Sequence, residues 1–276
     1  MYHTKLIIAK NQQKKLTRKL TGARSLNYFI ESSPGMYLLH IFSESPQLPV
    51  ELNKYTILSC ETDDDCKWRY KWAENFTGHE LTGDIYVTVA GKPLPAPSYR
   101  HVIMIDPRDA FGDGHHPTTR LCALLLQEHI AQFADASNLS MLDAGTGSGL
   151  LSIIAYILGL RNIELFDIDE NSVFMAERNL QLNGISGINP TAGDIYTRVL
   201  KSNYSIITAN LLTAIIEDNF ERLKCALADD GVLIVSGIST KWTYLLKRLI
   251  KRNKMVIVKH KKLEGWNGFL LKKRSD

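Results

Sequence analysis

The sequence predicts an α/β protein, a doubly wound and mostly parallel sheet preceded by a small α+β module. Three observations predict it. From about residue 100 onward, strand-like runs alternate with helix-like runs. A glycine-rich turn, Asp143-Ala-Gly145-Thr-Gly147-Ser-Gly149, joins one such strand to one such helix. Before residue 61, several short strands accompany a single basic helix.

In the front module, residues 5–10 read as a short strand, and 11–25 as a basic helix with Leu16 and Leu20 four apart. Tyr28–Glu31 and Met36–Phe42 read as strands around the Ser32-Ser33-Pro34-Gly35 turn. Pro46 and Pro49 break the chain, and Tyr55–Cys60 reads as a further strand. Thr62-Asp63-Asp64-Asp65 starts a helix, placing a cap and negative charge at the positive dipole end. Trp68 and Trp72 share one face of it, as in a connecting helix.

Gly83–Ala90 alternates as a strand, a proline-rich loop follows over 91–97, and His101–Ile105 is again a strand. Pro117–Phe133 reads as a helix with Pro117 in its first turn, where the missing N–H costs nothing. Strands at 141–143, 163–167, 205–209 and 232–237 alternate with helices at 149–158, 171–183, 214–228 and 241–251. Gly184 closes the helix that begins at Asn171. Met255–His260 and Phe269–Lys273 form a final hairpin, which puts one antiparallel strand into the sheet.

The 276 residues are 45% hydrophobic and 22% charged, an ordinary globular composition that excludes disorder as the main state. The net charge of +4 hides an uneven distribution. Residues 1–30 carry seven basic and no acidic side chains, and residues 241–276 carry twelve basic against two acidic. The middle is acidic, with 14 basic against 27 acidic residues. Solvated helix faces and strand edges account for such runs, as does a surface facing nucleic acid or the ribosome. Cys60, Cys66, Cys122 and Cys225 form no Cys-x-x-Cys pair and do not cluster with histidine at metal spacing. They read as reduced thiols of a cytoplasmic protein. The apolar runs at 6–9 and 150–160 are too short for a signal peptide or a membrane span.

The glycine turn points to a ligand, since three alternating glycines exceed what a tight turn requires. A dinucleotide fingerprint needs Gly-x-Gly-x-x-Gly; counted from Gly145 the sixth position is Leu150, and counted from Gly147 it is Ser152. Asp143, two residues before the first glycine, is a poor neighbour for pyrophosphate and suits a cationic amine. S-adenosylmethionine carries an ammonium, a sulfonium and a ribose diol, and no phosphate. Asp167, 18 residues beyond Gly149 at the next strand end, is placed to accept both ribose hydroxyls, while Asp169 suits a helix cap. Asp194, after a third strand, falls near an adenine. Asn210, at the end of the fourth strand, is either a ligand for a nucleophilic amine or the N-cap of the next helix, and the two roles can coexist. The adjacent pair His115-His116 lacks a third ligand at helical spacing, so a metal site is not expected.

Together these residues resemble the ribosomal protein L11 methyltransferase (PrmA) family of class I S-adenosylmethionine-dependent enzymes. The family loop Asp-Pro-Gly-x-Ala-Phe-Gly-Thr-Gly-Thr-His-Pro-Thr-Thr reads here Asp106-Pro-Arg-Asp-Ala-Phe111-Gly-Asp113-Gly-His115-His116-Pro-Thr-Thr119. Asp167-Ile-Asp169, Glu177-Arg-Asn179, Asn183-Gly184, Ala209-Asn210-Leu and Ser236-Gly237-Ile238 match in order, and Trp68, Trp72, Phe76 and Gly83 resemble the family's linker. The likeness runs over residues 62–276. Arg108, Asp113 and His115 depart from it, and the module is short around 46–53, where the family has a second helix.

The resemblance implies a seven-stranded class I methyltransferase domain over 83–276, a linker over 62–82, and a ferredoxin-like substrate-recognition module over 1–61. It implies that Thr119, Gly145, Asp167 and Asn210 contact the methyl donor. Gly147, Asp194 and Asp143 join them on position, with Asp143 near the donor's ammonium. The expected reaction is in-line methyl transfer to lysine or N-terminal amines of ribosomal protein L11, with Asn210 orienting the amine. The expected protein is a cytoplasmic monomer away from membranes. Because its front module is basic, it meets a basic substrate by shape, by apolar contact or with ribosomal RNA nearby. Two alternatives stand beside this reading: a lysine methyltransferase with another protein substrate, and a non-catalytic binding module that keeps the fold.

Overall fold

The computed structural model describes residues 2–8, 27–33, 36–43, 47, 52, 54–62, 78–89, 92, 99–106 and 110–274. The helix expected at 11–25, the segment around 46–53 for the most part, and the connecting helix after residue 62 lie outside them. The chain divides into two compact units, Met1–Tyr70 and Lys71–Asp276.

The first unit holds a four-stranded antiparallel sheet of β1 (Tyr2–Ile8), β2 (Asn27–Ser33), β3 (Met36–Ser43) and β4 (Thr56–Thr62), in the order β2-β3-β1-β4. This is the strand order of a ferredoxin-like split βαβ module. The strand expected at 5–10 lies earlier: Thr4, Leu6 and Ile8 alternate into the interior, and the pairing with β3 begins at Tyr2. Leu39 and Ile41 of β3 are buried too.

The second unit opens with β5 (His79–Thr82), β6 (Ile85–Val89) and β7 (His101–Ile105), a three-stranded sheet with β6 parallel to β7. The strand expected at 83–90 is therefore the second arm of a hairpin turning at Gly83-Asp84.

The main sheet has seven strands: β8 (Ser140–Ala144), β9 (Asn162–Asp167), β10 (Thr191–Ala192), β11 (Tyr204–Asn210), β12 (Leu227–Ser239), β13 (Met255–Leu263) and β14 (Trp266–Lys273). Their order is β10-β9-β8-β11-β12-β14-β13, and only β14 runs against the rest. Five helices accompany it: α1 (Pro117–Ile130), α2 (Leu150–Ile157), α3 (Glu170–Leu182), α4 (Thr213–Ala226) and α5 (Thr243–Arg252). The central strands are buried on both faces. Ile206, Val232 and Ile234 pack in one apolar layer with α1, α2 and α3, while Ile207, Leu233 and Val235 pack in the other with α4 and α5. Residues facing both ways must therefore be apolar, which explains the unbroken run Val232-Leu-Ile-Val235. The apolar stretch at 150–160 is the buried α2 and its exit, and no described helix is long and apolar enough to cross a membrane.

Helix α1 ends at Ile130 rather than Phe133, which is 41% exposed. Part of the basic tail is neutralised locally. Lys259 and Lys261 reach Glu128 at 3.0 and 2.7 Å, and Lys273 reaches Asp229 at 3.2 Å.

Candidate active site

A cavity of about 420 Å³ opens beyond the carboxyl ends of β8, β9, β11 and β12, where parallel sheets bind ligands. Its floor is the turn between β8 and α2. Gly145 and Thr146 N–H both donate to the Phe166 carbonyl at 3.0 Å, and Gly147 N–H donates to Asp167 Oδ2 at 2.8 Å. Gly147 has φ +54°, and a Cβ there would overlap the Phe111 carbonyl. Glycine is required because the 110–116 loop lies directly on the turn. Ser148 N–H donates to the Phe111 carbonyl and Ser148 Oγ to the Gly112 carbonyl, both at 2.8 Å. Asn179 ties the two loops to α3, donating from Nδ2 to the Ser148 carbonyl and accepting at Oδ1 from Asp106 N–H.

Gly145, Gly147, Asp167, Asp194 and Asn210 all line this cavity. Asp167 takes one N–H on each carboxylate oxygen, from Gly147 and from Asp169 at 3.1 Å, and so is held rigidly at its mouth. Each oxygen keeps a lone pair for a ligand hydroxyl. Asp194 accepts from Tyr196 N–H at 2.9 Å, closing the turn after β10. Asp169 is the N-cap of α3, accepting from Asn171 N–H.

Asn210 is the last residue of β11, and the N-cap of α4 is Leu212. The capping alternative for Asn210 is thereby removed. Its Nδ2 donates to Thr119 Oγ1 at 3.2 Å, which turns Oδ1 away from Thr119. That Oδ1 is buried and has no hydrogen-bond partner. A buried acceptor left unmade costs about 1–3 kcal/mol, so a donor from a ligand is the natural complement.

Two expected residues lie elsewhere. Thr119 is 1% exposed and sits behind Asn210 rather than on the cavity wall, because it belongs to the buried face of α1. Asp143 is also 1% exposed. It pairs in register with Thr208 of β11, inside the sheet and short of the strand end. Three hydroxyls donate to it: Thr208 Oγ1 at 2.6 Å, Thr146 Oγ1 at 2.7 Å and Ser152 Oγ at 2.8 Å. Burial pushes its carboxyl above the ordinary carboxylate range despite these donors. It ties the glycine turn, α2 and β11 together, and its carboxylate does not reach the cavity.

Sequence reasoning missed Phe111, His116 and Trp266 on the cavity wall. The signal for His116 is its place before Pro117. It is the N-cap of α1, and its Nδ1 accepts from Thr118 N–H at 3.3 Å, which assigns the ring proton to Nε2. Burial pulls its pKa below the ordinary value, so the ring is neutral at pH 7. It lies edge-on to Trp266 at 5.0 Å and beside Phe111 at 5.3 Å. Nothing local marks Trp266, which the β13–β14 hairpin brings from the far end of the chain.

The donor set suits S-adenosylmethionine. A rigid carboxylate meets a diol, the apolar Phe166, Ile168 and Ile195 suit a flat base, and the orphaned Asn210 Oδ1 meets a cationic or amine group. Among the described residues, no cluster of three His, Cys, Asp or Glu side chains is placed to hold a metal.

Comparison with known proteins points to one family. A ribosomal protein L11 methyltransferase of Bacillus pumilus is 28% identical over 225 residues, 81% of this chain and 70% of that protein. One from Streptococcus pneumoniae strain P1031 is 31% identical over 211 residues, 76% of this chain and 65% of that one. For two Streptococcus thermophilus relatives the match takes in 64% of their length, so the chain spans about two thirds of such relatives. The crystal structure of a ribosomal protein L11 methylase from Lactobacillus delbrueckii subsp. bulgaricus superposes with a TM-score of 0.65 at 28% identity, covering 72% of this chain and all of that one. With residues 10–274 matching its family model, the chain belongs to the ribosomal protein L11 methyltransferase (PrmA) family.

Proposed function

We propose that this protein is an S-adenosylmethionine-dependent protein N-methyltransferase whose substrate is ribosomal protein L11. The observation that carries the reading is the orphaned Asn210 Oδ1, buried at the end of β11 in a cavity that also presents Asp167. S-adenosylmethionine supplies a methyl group on a cationic sulfonium, whose transfer to an amine leaves a neutral thioether.

The chain's own residues bind, orient and exclude water. Asp167 holds the ribose hydroxyls, with Gly145 and Gly147 giving close backbone approach and Asp194 beside the base. Asn210 Oδ1 accepts a hydrogen bond from the attacking amine and aims its lone pair. A lysine amine, with a solution pKa of ~10.4, must be neutral to attack. The apolar wall of Phe111, Leu211 and Trp266 favours that neutral form by desolvation, so alignment and water exclusion carry the rate. Thr119 and Asp143 act from behind, one fixing the Asn210 amide and the other the glycine turn.

We further assign residues 1–61 to substrate recognition, a linker to the stretch after them, and catalysis to the part that begins with the β5–β6 hairpin at His79 rather than at residue 83, in a cytoplasmic monomer that meets its substrate near ribosomal RNA. The test is label transfer from S-adenosylmethionine to purified L11, with donor affinity measured by calorimetry. Label in L11 that Asn210→Ala abolishes supports the reading. Donor binding with label only in another protein moves the substrate, and failure to bind donor leaves the binding-module alternative.

A further inference from the structure

Beside the donor cavity lies a second hollow of about 650 Å³, walled by Ala214 and Glu217 of α4, Ser239 at the end of β12, and Trp242 and Leu245 at the start of α5. It shares Leu212, Gly237 and Trp266 with the donor cavity, so the two meet along common walls. We propose that this hollow seats the polypeptide segment flanking the methyl-accepting amine, an inference that rests on the methyltransferase reading above.

The first support is continuity. Asn210, Leu211 and Leu212 run consecutively from the donor cavity to the wall of the hollow. An amine held at Asn210 therefore has its parent chain next to Leu212. Gly237 lets β12 lie directly against Leu211 at this junction, because a Cβ there would overlap the Leu211 carbonyl.

The second support is surface chemistry. Leu212 is 69% exposed and Trp242 is 40% exposed, large apolar groups facing solvent at the rim of a concavity. The Lys241 ammonium sits 5.4 Å from the centre of the Trp242 ring. Ser239 Oγ in the wall is buried without a hydrogen-bond partner. A peptide backbone brings both donors and acceptors and can satisfy such a hydroxyl.

The third support is charge. Among the described residues lining the hollow there is one cation, Lys241, and one anion, Glu217. A phosphate backbone needs several cations and no carboxylate, so this composition favours a polypeptide over RNA.

The test measures methyl transfer to purified L11 at graded acceptor concentration for wild type, Trp242→Ala and Trp242→Phe. Donor affinity is followed by calorimetry, and N-acetyl-lysine methylamide serves as a small acceptor without flanking chain. Trp242→Ala is expected to raise KM for L11 about tenfold, the effect of one lost aromatic anchor, with kcat and donor affinity unchanged. Trp242→Phe restores most of the loss, and the small acceptor shows no difference. An unchanged KM for L11 overturns the proposal. So does a KM that rises equally for the small acceptor, or an RNA oligonucleotide that competes with L11 for wild type and not for Trp242→Ala. If wild type labels a different protein, the same comparison on that protein decides. A wild type that binds donor and labels no protein overturns both this inference and the reading beneath it.

Discussion

The ends of β8 and β9 carry carboxylates in opposite states. Asp143 on β8 is sealed, with three hydroxyl donors and no share in the cavity wall. Asp167 on β9 is open, held by two backbone N–H groups and facing the cavity. The strand register accounts for the difference. Asp143 lies opposite Leu165, with Ala144 opposite Phe166, so it stops two rungs short of Asp167. Two residues along a strand separate an acid that builds the cavity floor from an acid that faces the cavity.

The largest expected effect breaks the pair from its sealed side. Asp143→Ala leaves three buried hydroxyls without their acceptor and is expected to lower unfolding stability by about 3 kcal/mol. Chemical denaturation measures it, and a loss under ~1 kcal/mol would show that the turn holds without that carboxylate. On the open side, Asp167→Ala is expected to weaken donor binding about a hundredfold, with only about 1 kcal/mol of stability lost. Equal losses of stability from the two variants would erase the distinction.

A third carboxylate, Glu164, which shares β9 with Asp167, sharpens the comparison. Burial alone would raise the pKa of Glu164, but hydrogen bonds from Lys201, Tyr204 and Arg198 outweigh it and hold it at about 2, down from 4.5. Folded Glu164 binds its proton less tightly than the unfolded chain does. Its stabilisation is therefore complete above 4.5 and fades as the pH falls to about 2. Glu164→Gln is expected to cost about 2 kcal/mol at pH 7 and progressively less across that window, and a pH-independent difference would contradict the assignment.

The smallest effect concerns the residue behind Asn210. Thr119→Val removes the acceptor of the Asn210 amide and is expected to lower kcat about tenfold while donor affinity stays within about threefold. If calorimetry instead shows affinity falling as far as kcat, Thr119 touches the donor directly.

The sheet was legible because its strands are buried on both faces. Val232–Val235 reads as a strand without ambiguity, and the glycine turn marks the ligand end. The expectation of one antiparallel strand also agrees with the pairing of β14. What sequence spacing does not encode is side-chain direction at a strand end. Asp143 and Thr119 carry the right residue types in the right segments and point inward. Strand β5 is four residues long and ends at a proline-free turn at Gly83-Asp84, too short to show alternation. Trp266 reaches the cavity only through tertiary pairing, as its partner Ser239 on β12 shows.

The order β12-β14-β13 has a consequence for how the chain is made. The strand formed by residues 266–273 lies inside the sheet, between two strands synthesised before it. Until translation passes those residues, β12 has no neighbour on one side and Trp266 is missing from the cavity. The part of the cavity wall that Trp266 supplies thus closes only once residues 266–273 have been made, after every other wall residue is already in the chain.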